Sequence, residues 1–316
     1  MADVAIIIGN GLDLDLGLPS KYSDFIKSPE WQAVVKKVEG FLFDESYRRH
    51  SLVAQLQKAS KESLWFDIEE EIHKFVISHP TNSAQEIKEI KFEFDLMRKA
   101  LTDYLKRVSD DLLRKADKNR LAYKLLSNMQ ASPMSSINIY FNYTFSGSFL
   151  EKPTYYDIGK GFFTYVHGSL RDDDIVIGCN RQKDEHVNRD LSFMYKHNMI
   201  KKANHVARNL LEAKEIIFFG HSINEMDFCY FREFFKAASD APNPIRHLTI
   251  ITYDEESERN IKDNICDQGI SVTDLYNNLW TFDVIHTKNV YEGDEEDIKR
   301  WNGMVDRLLA KDRHGV

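Results

Sequence analysis

Residues 4–8, Val-Ala-Ile-Ile-Ile, are apolar at every position and run straight into Gly9-Asn10-Gly11. A strand with one solvated face alternates apolar and polar side chains. A strand that does not alternate is buried on both faces, as inside a parallel sheet. Parallel strands cannot be joined by tight hairpins, so this strand commits the chain to long crossovers, usually helical. The two glycines allow a sharp turn and a close backbone approach. A helix starting there would aim free N–H groups and its positive dipole end at an anion such as a phosphate. Leu12-Asp13 follow where the dinucleotide fingerprint needs its third glycine. The turn alone therefore supports a nucleotide site and an ordinary β-to-α connection equally.

Residues 31–129 carry no strand pattern. Trp31, Val34, Val35 and Val38 recur at helical spacing, as do Leu64, Ile68, Ile72 and Phe75. Ser83 with Glu86 forms a capping box. Ile87, Ile90, Phe94, Met97, Leu101, Tyr104, Val108 and Leu112 then make one stripe that predicts a long amphipathic helix. Ser20 is expected to cap a short helix over 21–28, with Pro29 opening the next segment. Leu121, Leu125 and Met129 mark one more helix. This is too much helix for one crossover. The expected organisation is a Rossmann-like domain of residues 1–30 and 131–316, split after its first strand by an all-helical insertion or lid, 31–130.

Beyond residue 136 strands and helices alternate. Strands are expected over 137–144, 162–166, 174–178, 216–219, 247–252 and 280–285. Helices are expected over 185–214 with a break near Lys201, and over 226–237, 256–265 and 295–309. Pro242-Asn243-Pro244 reads as a loop. The alternation predicts an α/β fold, a parallel sheet with helices on both faces.

Four apolar strands stop at polar, glycine-rich residues: Gly9-Asn10-Gly11, Asn142-Tyr143-Thr144, His167-Gly168-Ser169 and Gly220-His221-Ser222. In a parallel sheet such ends share one edge, where open α/β folds bind ligands. Asn142 can both donate and accept, which suits ribose hydroxyls, a positioned water or the loop's own backbone. His167 has the chemistry of a general base, or is a satisfied strand-end histidine. His221 and Ser222 precede a helix and could hold a phosphate, while Ser222 or Asn224 could serve as its N-cap. Asp227 could bind a hydroxyl or complement the helix dipole. Trp65 and Glu69 lie one turn apart on one helix, a core-plus-surface pattern.

The net charge of −8 argues against a general duplex nucleic-acid binder. Cys179, Cys229 and Cys266 are far apart and form no Cys-x-x-Cys pair, so no structural zinc is expected. Free thiols fit a reducing cytosol. No apolar run approaches the ~20 residues of a spanning helix, and strand 1 begins too early for a leader to precede it. The expectation is a cytoplasmic protein with no membrane partner; homo-oligomer formation is left open. His186, His197 and His205 lack metal-ligand spacing and read as surface residues, and Arg171-Asp172-Asp173-Asp174 as a solvated loop. Neither a Gly-x-Ser-x-Gly elbow nor a Gly-Lys-Ser/Thr phosphate loop occurs.

The opening block, Ile8-Gly9-Asn10-Gly11-Leu12-Asp13-Leu14 then Gly17-Leu18-Pro19-Ser20-Lys21-Tyr22-Ser23-Asp24-Phe25, resembles that of the bacteriophage abortive-infection AbiH family. Trp65-Phe66-Asp67-Ile68-Glu69, Phe141-Asn142-Tyr143-Thr144, Val166-His167-Gly168 and Gly220-His221-Ser222 with Asp227 are similar to its later blocks, in order. A more distant resemblance is to the sirtuin-like NAD-binding fold, which shares the order Gly-x-Gly, Gly-Leu-Pro, strand-end Asn, His-Gly and Gly-x-Ser. It departs in having Ser20-Lys21-Tyr22 for the sirtuin Asp-Phe-Arg, Phe141 for a glutamine, and no zinc cysteines, so protein deacylation is not implied. The resemblances imply an anti-phage effector that takes NAD as substrate and hydrolyses its nicotinamide–ribose bond, an NAD glycohydrolase. Asn142 and His167 would be catalytic. Gly9, Asn10, Gly11, Asp13, Gly220, His221, Ser222 and Asp227 would bind the dinucleotide, with Gly9 and Gly11 against its phosphates. The alternative is a non-catalytic nucleotide-binding sensor or interaction module. Either would answer to a phage-derived trigger.

Overall fold

A computed structural model describes residues 2–62, 66–79, 83–112, 117–144, 161–180, 188–200 and 205–310. They fall into two compact units. The first comprises Met1–Leu18, Leu113–Val166 and Ala203–Val316; the second comprises Pro19–Leu112 and His167–Lys202.

The first unit is built on six strands: β1 (Val4–Ile8), β2 (Ser136–Tyr140), β3 (Gly161–Tyr165), β4 (Glu215–Phe219), β5 (Asn243–Thr252) and β6 (Leu279–His286). All neighbours are parallel, in the order β3-β2-β1-β4-β5-β6. This is the order of doubly wound dinucleotide-binding sheets, with the reversal between β1 and β4. Ile6 lies opposite Asn138 on one side and Ile217 on the other. Every residue of β1 and β4 is buried, the apolar run of β1 as its pattern requires and Glu215 at the start of β4 through its ion pair with Arg307.

One continuous core joins Ala5, Ile7, Ile139, Ile216 and Phe218 to Phe228, Phe231, Phe234 and Phe235 from the segment after β4. Burying one such phenylalanine contributes about 1.5–3 kcal/mol. The last helix, Glu295–Leu309, has the expected bounds. Asp294 caps it by accepting from Asp297 N, and Trp301, Met304 and Leu308 give it a buried face.

Several local expectations are corrected. Residues 174–178 do not join the sheet: the Gly168–Asp174 turn uses their polar groups, and nearby only an isolated bridge pairs Cys179 with Tyr195. The strand expected over 137–144 ends at Tyr140, after which Asn142 and Thr144 enter a side-chain network. Among the described residues of 185–214, a 3-10 turn (Ser192–Met194), one helical turn (Lys196–Met199) and a helix (Val206–Glu212) replace the long helix. Lys201 lies outside the described residues. The helix over 226–237 is two, Glu225–Phe228 and Arg232–Asp240. β5 already starts at Asn243, with a register irregularity before His247 where Pro244 lacks a ladder donor.

The second unit is organised by the 29-residue helix Ala84–Leu112. Its capping box forms: Ser83 N donates to Glu86 Oε2 at 2.6 Å, and Glu86 N to Ser83 Oγ at 3.2 Å. Ile90, Phe94, Met97, Leu101, Tyr104 and Val108 are all buried. The helix Pro29–Val38 begins at its proline and is capped by Ser28, whereas the N-cap of the short helix Tyr22–Phe25 is Lys21, not the expected Ser20, and its side chain makes no cap hydrogen bond. Phe25 packs on Trp31 and Tyr104. Trp65 lies outside the described residues.

Candidate functional site

At the switch point, the backbone turns after β1 and after β4 meet. Gly9 N donates to Phe219 O at 3.0 Å, Gly11 N to Gly220 O at 2.8 Å, and Leu12 N to Gly9 O at 3.1 Å. A Cβ on Gly9 would come within 2.4 Å of Gly220 O, and one on Gly11 within 2.4 Å of Gly220 Cα. Gly220 has φ +61°, and a Cβ there would lie 2.3 Å from Gly11 Cα. The three glycines are thus required by contact of main chain with main chain. Their packing consumes three N–H groups that a phosphate would need. Asn10, first residue of helix α1 (Asn10–Asp15), is exposed.

Asp13, on α1, is 1% exposed. Thr144 Oγ1 lies 2.6 Å from each of its carboxylate oxygens, and Asn142 Nδ2 donates to the same Oγ1 at 2.9 Å. Burial pushes the Asp13 carboxyl up to about 6, against the opposing pull of its Thr144 and Asn142 hydrogen bonds. Asn142 is 5% exposed, and its Oδ1 has no hydrogen-bond partner among the described residues. Buried carbonyl oxygens are ordinarily paired, so this one marks a place where a donor fits. Asp15, two residues on, serves the fold: it accepts from Ala122 N at 2.8 Å and from Tyr291 OH at 2.7 Å.

His221 is buried at the end of β4. Its Nδ1 accepts from Ile223 N at 2.9 Å, so in the neutral ring the proton sits on Nε2, which faces Asp227 Oδ2 at 3.6 Å. The rings of Phe141 and Phe231 meet it edge-on. Ser222 is exposed, and Asn224 is the N-cap, accepting from Asp227 N at 3.0 Å.

His167 belongs to the second unit. It is buried, and its carbonyl accepts from Val176 N at 2.7 Å. Gly168, with φ +73°, is required there because a Cβ would lie 2.0 Å from Asp174 O. The second unit also buries Lys196 completely, paired to Glu69 Oε2 at 2.8 Å. Nothing in the sequence distinguishes that lysine from its solvated neighbours. His197, His205 and the 171–174 loop are exposed; His186 lies outside the described residues.

The structure therefore brings Gly9 and Gly11 onto Gly220, joins Asp13 to Asn142, and sets His221 beside Asp227, all in the first unit. Thr144 was assigned no role from sequence, although its spacing of two from Asn142 is that of same-side residues in extended chain. Among the described residues no group of three or more His, Cys, Asp or Glu side chains could hold a metal ion, and no helix is long and apolar enough to cross a membrane.

Comparison with protein families matches residues 5–245 to the model described as bacteriophage abortive infection AbiH. Neither curated proteins nor solved structures give a match.

Proposed function

The chain belongs to the bacteriophage abortive infection AbiH family, and from that premise we propose that it defends the cell by binding NAD at the C-terminal edge of its parallel sheet and hydrolysing the nicotinamide–ribose bond. The observation carrying this reading is the buried Asp13–Thr144–Asn142 cluster beside the switch point of a β3-β2-β1-β4-β5-β6 sheet. That edge is where open α/β sheets take nucleotides.

The reaction breaks the bond from ribose C1′ to the nicotinamide nitrogen. The bond's electrons leave with neutral nicotinamide, water oxygen bonds to C1′, and the water's second proton goes to solvent or a base. The transition state places positive charge on the ribose. A carboxylate in a water-poor site, such as ionised Asp13, stabilises that charge. Asn142 Oδ1 would hold a ribose hydroxyl or the attacking water. The base's role that the sirtuin resemblance implies for His167 is open to separate substitution.

The test is quantification of nicotinamide and ADP-ribose after incubating the purified chain with NAD, repeated in cells during phage infection to supply the trigger. Wild-type chain should deplete NAD, and Asn142→Ala should not. NAD bound but recovered intact under both conditions would replace hydrolysis with the sensor reading. Depletion by Asn142→Ala and His167→Ala at the wild-type rate would overturn the site.

A further inference from the structure

We infer that Thr144 is a positioning residue: it relays the hydrogen-bond demand of Asp13 to Asn142 and fixes the amide so that Oδ1, an acceptor, meets a ligand hydroxyl of the kind a ribose presents. This rests on the nucleotide reading for its ligand, but the relay itself is a property of the three side chains.

A threonine hydroxyl has a single hydrogen to donate. Ionised Asp13 can only accept, and Thr144 Oγ1 sits 2.6 Å from both of its oxygens, so the hydrogen goes there. The contact of 2.9 Å between Thr144 and Asn142 must then run from the amide N–H to the hydroxyl oxygen. Only one of the two amide orientations satisfies this, and it leaves Oδ1 buried and unpaired among the described residues.

The ligand chemistry follows. A phosphate offers acceptors alone and would meet an amide oxygen backed by a carboxylate. A hydroxyl offers a hydrogen. The neighbouring glycine turn points the same way, since the N–H groups of Gly9, Gly11 and Leu12 are engaged within the protein. This end of the sheet is therefore a sugar subsite, and the phosphates of a dinucleotide lie elsewhere.

Protonating Asp13 releases the constraint, because the acid can donate to Thr144 and free the threonine hydrogen to face the amide oxygen. The polar groups acting on Asp13 are Thr144 and Asn142. Other charged groups around α1 are engaged elsewhere: Asp15 with Ala122 N and Tyr291, Arg120 with Asp117 and the Tyr291 ring, and His221 beside Asp227.

The experiment labels asparagine with 15N, identifies the Asn142 side-chain signals by their loss in Asn142→Asp, and follows them with pH in wild type, Thr144→Ser and Thr144→Val. Calorimetry with NAD is run on the same three proteins. The amide signals should move as Asp13 titrates in wild type and Thr144→Ser, and move less in Thr144→Val, where only the hydrogen bond of Asn142 itself to Asp13 remains. NAD affinity should fall about tenfold in Thr144→Val, the loss of one net hydrogen bond, and stay within about twofold in Thr144→Ser. Serine and valine variants behaving alike, or an amide that ignores Thr144, would overturn the relay. Wild type that binds no NAD while the amide titrates as expected would defeat the nucleotide reading and leave the relay standing.

Discussion

Asp13→Asn should make this protein more stable while disabling it. Asp13 is buried, and that burial raises its carboxyl from 3.8 to about 6 despite its two hydrogen bonds. A carboxyl whose folded pKa lies above its unfolded value favours folding below the unfolded value, and that contribution is lost as pH rises through the folded one. At ~1.4 kcal/mol for each tenfold in proton affinity, the rise corresponds to ~3 kcal/mol of destabilisation at neutral pH. Asparagine matches the protonated acid in shape and neutrality and can still accept from Thr144. The variant should equal wild type near about pH 4 and exceed it by ~2–3 kcal/mol at about pH 7.5. For a folding unit of about 200 residues that is roughly 4–12 °C in melting temperature. The measurement is the difference between paired thermal melts across that range, in which groups common to both proteins cancel. NAD cleavage should fall about 10²-fold or more if the carboxylate stabilises ribose charge. A difference that is flat with pH, or a less stable variant at neutral pH, would refute the reasoning.

Gly220→Ala should be severely destabilised, by ~3 kcal/mol or more, because strain at positive φ adds to a backbone overlap; a melting curve like that of wild type would contradict the described contact. Glu69→Ala should lose ~3–5 kcal/mol by stranding Lys196, whereas Glu69→Leu with Lys196→Met should recover much of it, as chemical denaturation of both would reveal. Ser83→Ala should cost ~1 kcal/mol through the lost cap of the helix Ala84–Leu112, read from the same denaturation midpoint. Phe235→Ala should cost ~3–5 kcal/mol, and a loss below ~1 would mean that its site is not the packed core described.

Much of the architecture was legible because it follows from burial. The unbroken apolar run at β1 can only be a doubly buried strand, and the stripe from Ile90 to Val108 can only be one helix face. What failed were segments decided by specific side-chain hydrogen bonds, which an apolar pattern does not register. Residues 174–178 have a strand's composition, yet Asp174 Oδ1 is taken by Ser169 N and the segment stays off the sheet. Asn142 was legible as a strand-end amide, but not its bond to Thr144 or the link to Asp13, whose partner lies 131 positions away. Lys196 was illegible for the same reason. Gly9 and Gly11 were legible as a glycine turn after a buried strand, but their steric requirement is Gly220, which local sequence does not disclose.

That mutual requirement changes how variation at these positions should be interpreted. In a saturation mutational scan, positions 9, 11 and 220 would reject almost every replacement and so would mimic catalytic residues. Their intolerance would report a steric lock between two turns, with neither partner able to change alone. Positions 13, 142 and 144 should separate from them in one respect: conservative replacements there leave a folded, abundant protein, so only a screen scoring abundance and defence independently would tell the lock from the site.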